Sequence, residues 1–527
     1  MEFSSGYRNH HFDGTYHFYH SKKKEGKIMS IKDFFLDKKN TDVDKTELSE
    51  NVLKGWFSKC ADVSFQRILI GKHECMIFYC DGLCNSEKIN EVILPMLEKI
   101  GMNDEWIDTE TLAKEKIYYC DRSNGMQIQQ EVITKIFSGQ LFIFLPKFGH
   151  LFAIDIAKPP QRVPEEPNLE MSIQGPKDGL IEELSTNVAI IRKRLRTASL
   201  YYEQFTVGER TQTRIALLYI HDIAKPTVIE KIRNQLLSIK VDGIIGSNQM
   251  EELLLQHSPF TIFPVCAYSG RPDFIADSLL HGRFVLILDG TPTAIIAPAT
   301  LSLLIKTPED AHFPYFFVSA ERLLRIFGLF ISLLLPGFWI ALISYHPDQL
   351  PFTLLATLAV SRQGVPVPAP LECFIMMFLF ELFREAGLRL PAAIGQTLSV
   401  VGGLIIGQAA ISAGLTSPGI LVATAISIVS TFTLVNQALI GTVSLLRIIV
   451  VFASSILGIV GFFISAFCIL IYLANLESFG VSYLSTISTL NPKEMISGLI
   501  QVPKSIDKGR SPTITSKDQT RQGGNQS

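Results

Sequence analysis

Leu390–Leu446, LPAAIGQTLSVVGGLIIGQAAISAGLTSPGILVATAISIVSTFTLVNQALIGTVSLL, runs for 57 residues without Asp, Glu, Lys or Arg, and beyond Arg447 the run Ile448–Leu476 adds 29 more. One helical crossing of a bilayer takes about 20 apolar residues, so the first run has room for two crossings and the second for one. A further span is expected over Leu323–Tyr345, kinked at Pro336-Gly337. The rest of the chain differs sharply. Of the 98 charged residues, 78 lie in Met1–Glu321 and only 11 in Arg322–Glu477, while the tail Ser478–Ser527 holds six basic and three acidic side chains. The sequence therefore specifies an α/β N-terminal region followed by a polytopic α-helical membrane domain. A mean hydropathy of +0.26 excludes an ordinary soluble enzyme, and a net charge of −2 gives no drive for nucleic-acid binding.

The expected organisation is a polar leader over 1–49, an α/β subdomain over 50–158, a proline-rich linker, a second α/β subdomain over 168–310, a membrane domain over 320–477 with four to six segments, and a cytoplasmic tail over 478–527. Met1–Asn40 lacks the apolar core of a signal peptide, which places the N-terminal region in the cytoplasm. The basic tail places the C-terminus on the same side, with an even number of crossings, and labelling of positions Lys177 and Lys508 would test it. Eight cysteines make no disulfide scaffold; Cys80-x-x-x-Cys84 and the leader histidines read as a structural thiol pair and a solvated arm, so no metal or cofactor is expected.

In the first subdomain, Gln66–Ile70, Cys75–Tyr79, Leu141–Leu145 and Leu151–Ile156 read as strands, with helices over Glu87–Ile100 and Gln129–Phe137. In the second, strands at Thr213–Ile220, Val241–Ile245, Phe263–Ala267 and Phe284–Leu288 alternate with helices at Val228–Ser238, Gln249–His257 and Pro272–His281, a pattern that predicts a mainly parallel sheet. No phosphate loop, dinucleotide fingerprint, nucleophile elbow or zinc-protease motif occurs, and Asp289-Gly290 reads as a turn in preference to a catalytic strand end. Gly179–Arg196 reads as an amphipathic helix whose basic end, Arg192 to Arg196, lies in water or contacts anionic lipid or a neighbouring subunit.

In the membrane half, Pro366, Pro368 and Pro370 enforce extended backbone before a helix over Leu371–Leu388 that carries Glu372, Glu381, Arg384 and Glu385. Two readings stand: an interfacial helix with its charges in headgroups, or a segment lining a water-filled path. On the second, Glu372 or Glu385 is the unpaired carboxylate of a pore ring, Glu381 being neutralised by Arg384. Over Pro391–Gly414, Gly395, Gly402, Gly403 and Gly407 form a small-residue stripe for helix packing.

These stretches resemble the A subunits of bacterial spore germinant receptors, the GerA family. The matching text includes Gly175-Pro176-Lys177-Asp178-Gly179, Glu183, Asn187, Arg192 to Arg196, Arg271-Pro272-Asp273, Asp289-Gly290-Thr291-Pro292, Pro308-Glu309-Asp310, Leu335-Pro336-Gly337 and Phe380 to Gly387, in that order. Gly175, Pro176, Asp178, Gly179, Glu183, Asn187, Arg192 and Arg194 carry the first block, where the family usually has Arg before Gly-Pro and this chain has Gln174. The resemblance implies a non-enzymatic component of a nutrient receptor in the spore inner membrane. It also implies work with a transporter-like, nutrient-binding B subunit and a lipoprotein C subunit, and oligomerisation into a cation channel. A secondary transporter of a small solute or ion is the alternative.

Overall fold

The computed structural model describes residues 48–70, 73–102, 117–119, 125–147, 149–158, 174–255, 261–389, 407–485, 498, 500–503 and 509. The leader up to Glu47, the linker prolines, Gly395, Gly402, Gly403 and Lys508 lie outside the described residues. From Leu48 onward the chain forms one compact unit.

A short helix α1 (Glu50–Trp56), capped by the Ser49 hydroxyl, leads into β1 (Val63–Ile70) and β2 (His73–Cys80). After α2 (Leu94–Met102) come β3 (Ile117–Tyr119), α3 (Gly125–Ile136), β4 (Gln140–Leu145) and β5 (His150–Asp155). Their order in the sheet is β1-β2-β4-β5-β3, every pair antiparallel. Period-two alternation puts Phe65, Phe78 and Phe142 on one face, where their rings stack across three strands at 5.4 and 5.3 Å.

The second sheet follows α4 (Leu184–Arg194). It contains β6 (Leu200–Val207), β7 (Thr213–Ile220), β8 (Ala267–Ser269), β9 (Phe284–Leu288) and β10 (Ala294–Ala297), with α5 (Pro226–Ser238), α6 (Ser247–Leu254) and α7 (Pro272–Leu280) between strands and α8 (Leu301–Ile305) after them. The order β6-β7-β9-β10-β8 is again wholly antiparallel, so the expected parallel sheet is wrong. Two causes are visible. The stretch 241–245 is a loop, held by Val241 O accepting from Glu209 N and by Ile244 N donating to Thr211 Oγ1. And β10, entered through the turn at Gly290 (φ +84°), inserts between β9 and β8. Antiparallel pairs joined by tight turns need no crossover. Every residue of β9 and β10 is buried, about 1.5–3 kcal/mol for each large apolar side chain.

The apolar half begins at α9 (Tyr315–Tyr345), which continues through Pro336. A short helix α10 (Phe352–Ser361) precedes α11 (Ala369–Arg389), and α12 (Pro418–Thr431) and α13 (Gln437–Asn475) follow. Among the described residues two helices, Tyr315–Tyr345 and Gln437–Asn475, are long and apolar enough to cross a membrane.

The second of these is not straight. Gly458 sits at φ 63°, ψ −139°, outside any helical region. Thr442 Oγ1 donates to Ile262 O at 2.6 Å while Tyr472 Oη accepts from Ile262 N at 3.0 Å. Thirty residues of straight helix would separate those two positions by about 45 Å. The chain therefore folds back at Gly458, and a Cβ placed on Gly461 would meet Ala453 O at 2.1 Å. The run Ile448–Leu476, expected as one segment, belongs to two antiparallel limbs. The turn packs on the far end of α9, where Tyr345 Oη donates to Ser455 O at 2.6 Å. The return limb ends in a small hairpin, β11 (Glu477–Ser478) and β12 (Val481–Ser482), docked on the second sheet: Ser478 Oγ donates to Val265 O at 2.7 Å and Phe479 meets Phe284 edge-on.

Candidate functional site

The start of α9 is fixed to the second sheet by charge. Thr307 caps the turn Pro308–Ala311 and donates to Asp310 Oδ1 at 2.7 Å. Asp310, only 4% exposed, also accepts from Arg322 Nε at 2.8 Å and Arg325 Nη1 at 3.0 Å, both on the first turns of α9. Burial works to raise the Asp310 pKa, but Arg322 and Arg325 outweigh it and hold the carboxyl below its ordinary value. The distant Gln501 completes the joint: its Oε1 accepts from Arg322 Nη2 at 2.8 Å and its Nε2 donates to Asp310 O at 3.2 Å.

The neighbouring Glu309 extends this network back to the Gly-Pro loop. Buried Arg271 pairs through Nε and Nη2 with Asp273 at 3.1 and 2.6 Å and through Nη1 with Glu309, whose other oxygen accepts from Gln174 N at 3.1 Å. A Cβ at Gly175 would lie 2.2 Å from Arg271 Nη2, so a larger residue there would push that guanidinium off its carboxylates. His312 Nε2 lies 3.2 Å from Asp273 Oδ2.

The motif residues ahead of β6 form a scaffold. Arg192 is fully buried, bound through Nε and Nη2 to Asp62 at 2.6 and 3.0 Å, and its guanidinium lies over the Phe137 ring at 4.2 Å. Beside it, Ala61 N donates to Tyr202 O and Tyr202 N to Lys59 O, so β6 and the segment before β1 are joined. Arg194 forks onto Asp178, and Asn187 bonds both backbone groups of Ile181. Glu183 accepts from Ser185 and Thr186, while Pro176 and Gly179 shape the approach to α4. The expected helix begins only at Leu184, and its basic end divides: Arg192 and Arg194 are spent on internal carboxylates, while Lys193 and Arg196 are exposed. Asp289 is structural, accepting from Leu184 N at 3.1 Å at the start of α4 and from Arg214.

In the helical half, Glu372 is fully buried and paired, which corrects its reading as an unpaired ring carboxylate. Its Oε1 accepts from Arg362 Nη2 at 3.0 Å and its Oε2 from Ser417 N and Oγ at 2.8 and 2.9 Å, tying the proline-rich loop to the start of α12. Farther along α11, Glu381 pairs with Arg384, whose Nη1 donates to Ser444 Oγ at 2.8 Å. Glu385 is exposed on the same helix. Arg447, buried on α13, makes only weak bonds among the described residues: to Ser427 Oγ and Thr431 Oγ1 at 3.3 Å each, with Glu381 at 3.9 Å. A Cβ on Gly407 would meet Leu421 of α12 at 3.4 Å. Sequence reasoning missed Asp62, Arg362, Gln501 and Arg447; the last is the lone charge between two apolar runs, a signal that was present.

Residues 51–513 match the family described as Bacillus/Clostridium GerA spore germination protein. The chain belongs to that family. Among relatives of this GerA chain, spore germination protein XA of Bacillus anthracis is 45% identical over 90% of this chain and 97% of its own length. Spore germination protein KA of Bacillus subtilis is 31% identical over 88% and 86%. The crystallised N-terminal domain of the A subunit of the Bacillus megaterium spore germinant receptor GerK3 matches 48% of this chain and 93% of that one at 24% identity, with a TM-score of 0.37. The GerA match thus spans both the sheets and the helices described above.

Proposed function

We propose that this GerA chain is the A-type subunit of a nutrient germinant receptor, which couples nutrient sensing to ion release in germination by moving its helices through the Asp310 joint. The observation that carries the reading is that joint: one buried aspartate holds two arginines of α9, the last turn of the second sheet and Gln501 of the C-terminal segment at once. A displacement of the sheet is delivered directly to the helices. The chain has no catalytic role on this reading.

The α9 start and the end of α13 both meet the second sheet, which supports an even number of crossings with both termini in the cytoplasm. On this reading α9, α11 and the two limbs of α13 are four of four to six passes through the spore inner membrane. The partners are a transporter-like, nutrient-binding B subunit, a lipoprotein C subunit and further copies of this chain, with Gly395, Gly402, Gly403 and Gly407 supporting close helix packing. The cation path runs past Glu381, Arg384 and Glu385, Glu372 serving to hold its end of the loop. Rubidium flux through proteoliposomes holding the full chain and its partners tests this. Glu381→Gln and Glu385→Gln should each reduce flux without loss of assembly; unchanged flux in both removes α11 from the path.

A further inference from the structure

A cleft lies where the second sheet meets the beginning of α13, with Tyr268, Phe274, Leu304 and Lys306 on one side and Asn436 and Gln437 on the other. Its volume is about 60 Å³ and it is open on one side, room for roughly four waters or for a carboxylate whose short stem lies along the opening. Clefts at such boundaries are where small molecules commonly bind. The walls are largely apolar: Phe274 and Leu304 are buried, and the Tyr268 hydroxyl is committed to Glu251.

Two lining groups are donors with no acceptor among the described residues, the Lys306 ammonium and the Asn436 amide. The Lys306 ammonium has no hydrogen bond or ion pair among the described residues. Burial, followed by the charges of Arg322 and Arg283, pushes its pKa down to about 8, against weaker opposing pulls from Asp277 and Asp310. Nearby Arg283 is buried too, with one bond to Pro298 O at 3.3 Å. The Asn436 side-chain oxygen caps Ala438 N and Leu439 N at 3.0 and 3.2 Å, which leaves its amide N–H groups to donate elsewhere. A partly desolvated cation next to apolar walls is costly unless a counter-charge arrives.

We infer that this cleft binds a small oxyanion carrying an apolar stem, its charged end on Lys306 and Asn436 and its stem against Phe274 and Leu304. Such chemistry has two sources, a free short-chain carboxylate or the headgroup of an anionic phospholipid. The inference goes beyond the proposed function, and a binding readout keeps the two separate: the site stands whether or not the chain conducts ions.

The test is the thermal midpoint of the full chain in neutral detergent, titrated with butyrate against matched chloride. A ligand that binds only the folded state raises the midpoint with concentration. Butyrate should raise it, neutral butyramide should not, Lys306→Arg should keep the effect and Lys306→Met should lose it. Nanodiscs then separate the sources. A butyrate shift that survives in phosphatidylglycerol assigns the site to a free carboxylate; one seen in phosphatidylcholine and abolished by phosphatidylglycerol assigns it to the lipid headgroup. The inference is overturned if neither butyrate nor phosphatidylglycerol raises the wild-type midpoint, if butyramide acts equally, or if Lys306→Met responds as wild type does.

Discussion

Two buried arginines divide the molecule. Arg192, between the sheets, spends Nε and Nη2 on one carboxylate at 2.6 and 3.0 Å and Nη1 on Thr197 O at 3.0 Å. Arg447, among the helices, reaches two hydroxyls at 3.3 Å and a carboxylate at 3.9 Å, and its Nε has no partner among the described residues. A buried charge with full bidentate pairing fixes one geometry, whereas one with long contacts leaves alternatives close in energy. The Arg192 contact between the sheets is thus fixed in one geometry, and the Arg447 contact among the helices is the adjustable one.

The largest effect should fall on the Asp62–Arg192 pair. Asp62→Ala leaves Arg192 buried without its partner and should cost about 3–5 kcal/mol of stability, read as the thermal midpoint of the full chain. Arg447→Met, which places an apolar side chain among apolar helices, should be neutral or stabilising. Equal losses in the two variants would break the comparison.

Glu372 lies between these extremes, in the helical half yet fully paired. Glu372→Gln should cost about 1.5–3 kcal/mol by weakening its bonds to Arg362 and Ser417, and a loss below Arg447→Met would sharpen the boundary in the wrong place. Gly458→Ala should cost about 1–3 kcal/mol from backbone strain, with the Tyr345 ring 2.9 Å from the added carbon. Spin labels at the exposed Leu445 and Leu470 should lie within about 25 Å of each other, where a straight helix would set them about 37 Å apart.

A pH-dependent effect concerns Lys306. Its folded pKa of about 8 lies below the ordinary 10.5, so above pH 8 the unfolded chain binds the extra proton and stability rises with pH. Wild type should gain on Lys306→Met between pH 8 and 10.5 and show no such relative gain below pH 8. Midpoints measured across that range with a constant difference would contradict it.

Much of the architecture was legible because it rests on local pattern. Phe284–Leu288 is apolar throughout and became a central strand, and the charge partition set the helical half apart. Strand direction was not legible, since it depends on the four residues Ala294–Ala297 and on a loop at 241–245 whose apolar content mimics a strand. The fold-back at Gly458 was hidden because one glycine in an apolar run is compatible with a continuous helix. The Asp62–Arg192 pair joins positions 130 residues apart, beyond any spacing argument. Glu372 looked unpaired because its partners, Arg362 and Ser417, come from a proline-broken loop and a distant helix start.

The most direct test of the Asp310 joint is potassium release from spores that carry Asp310→Asn, triggered with a nutrient that germinates spores of the unsubstituted protein, with the amount of this chain in the spore membranes measured alongside. The substitution keeps the shape of the joint and removes the charge that holds Arg322 and Arg325. Coupling between sites is typically worth about 1–3 kcal/mol, so release should slow by at least about fivefold at unchanged receptor content. Release at the wild-type rate would show that the signal reaches the helices by some other route than the Asp310 joint.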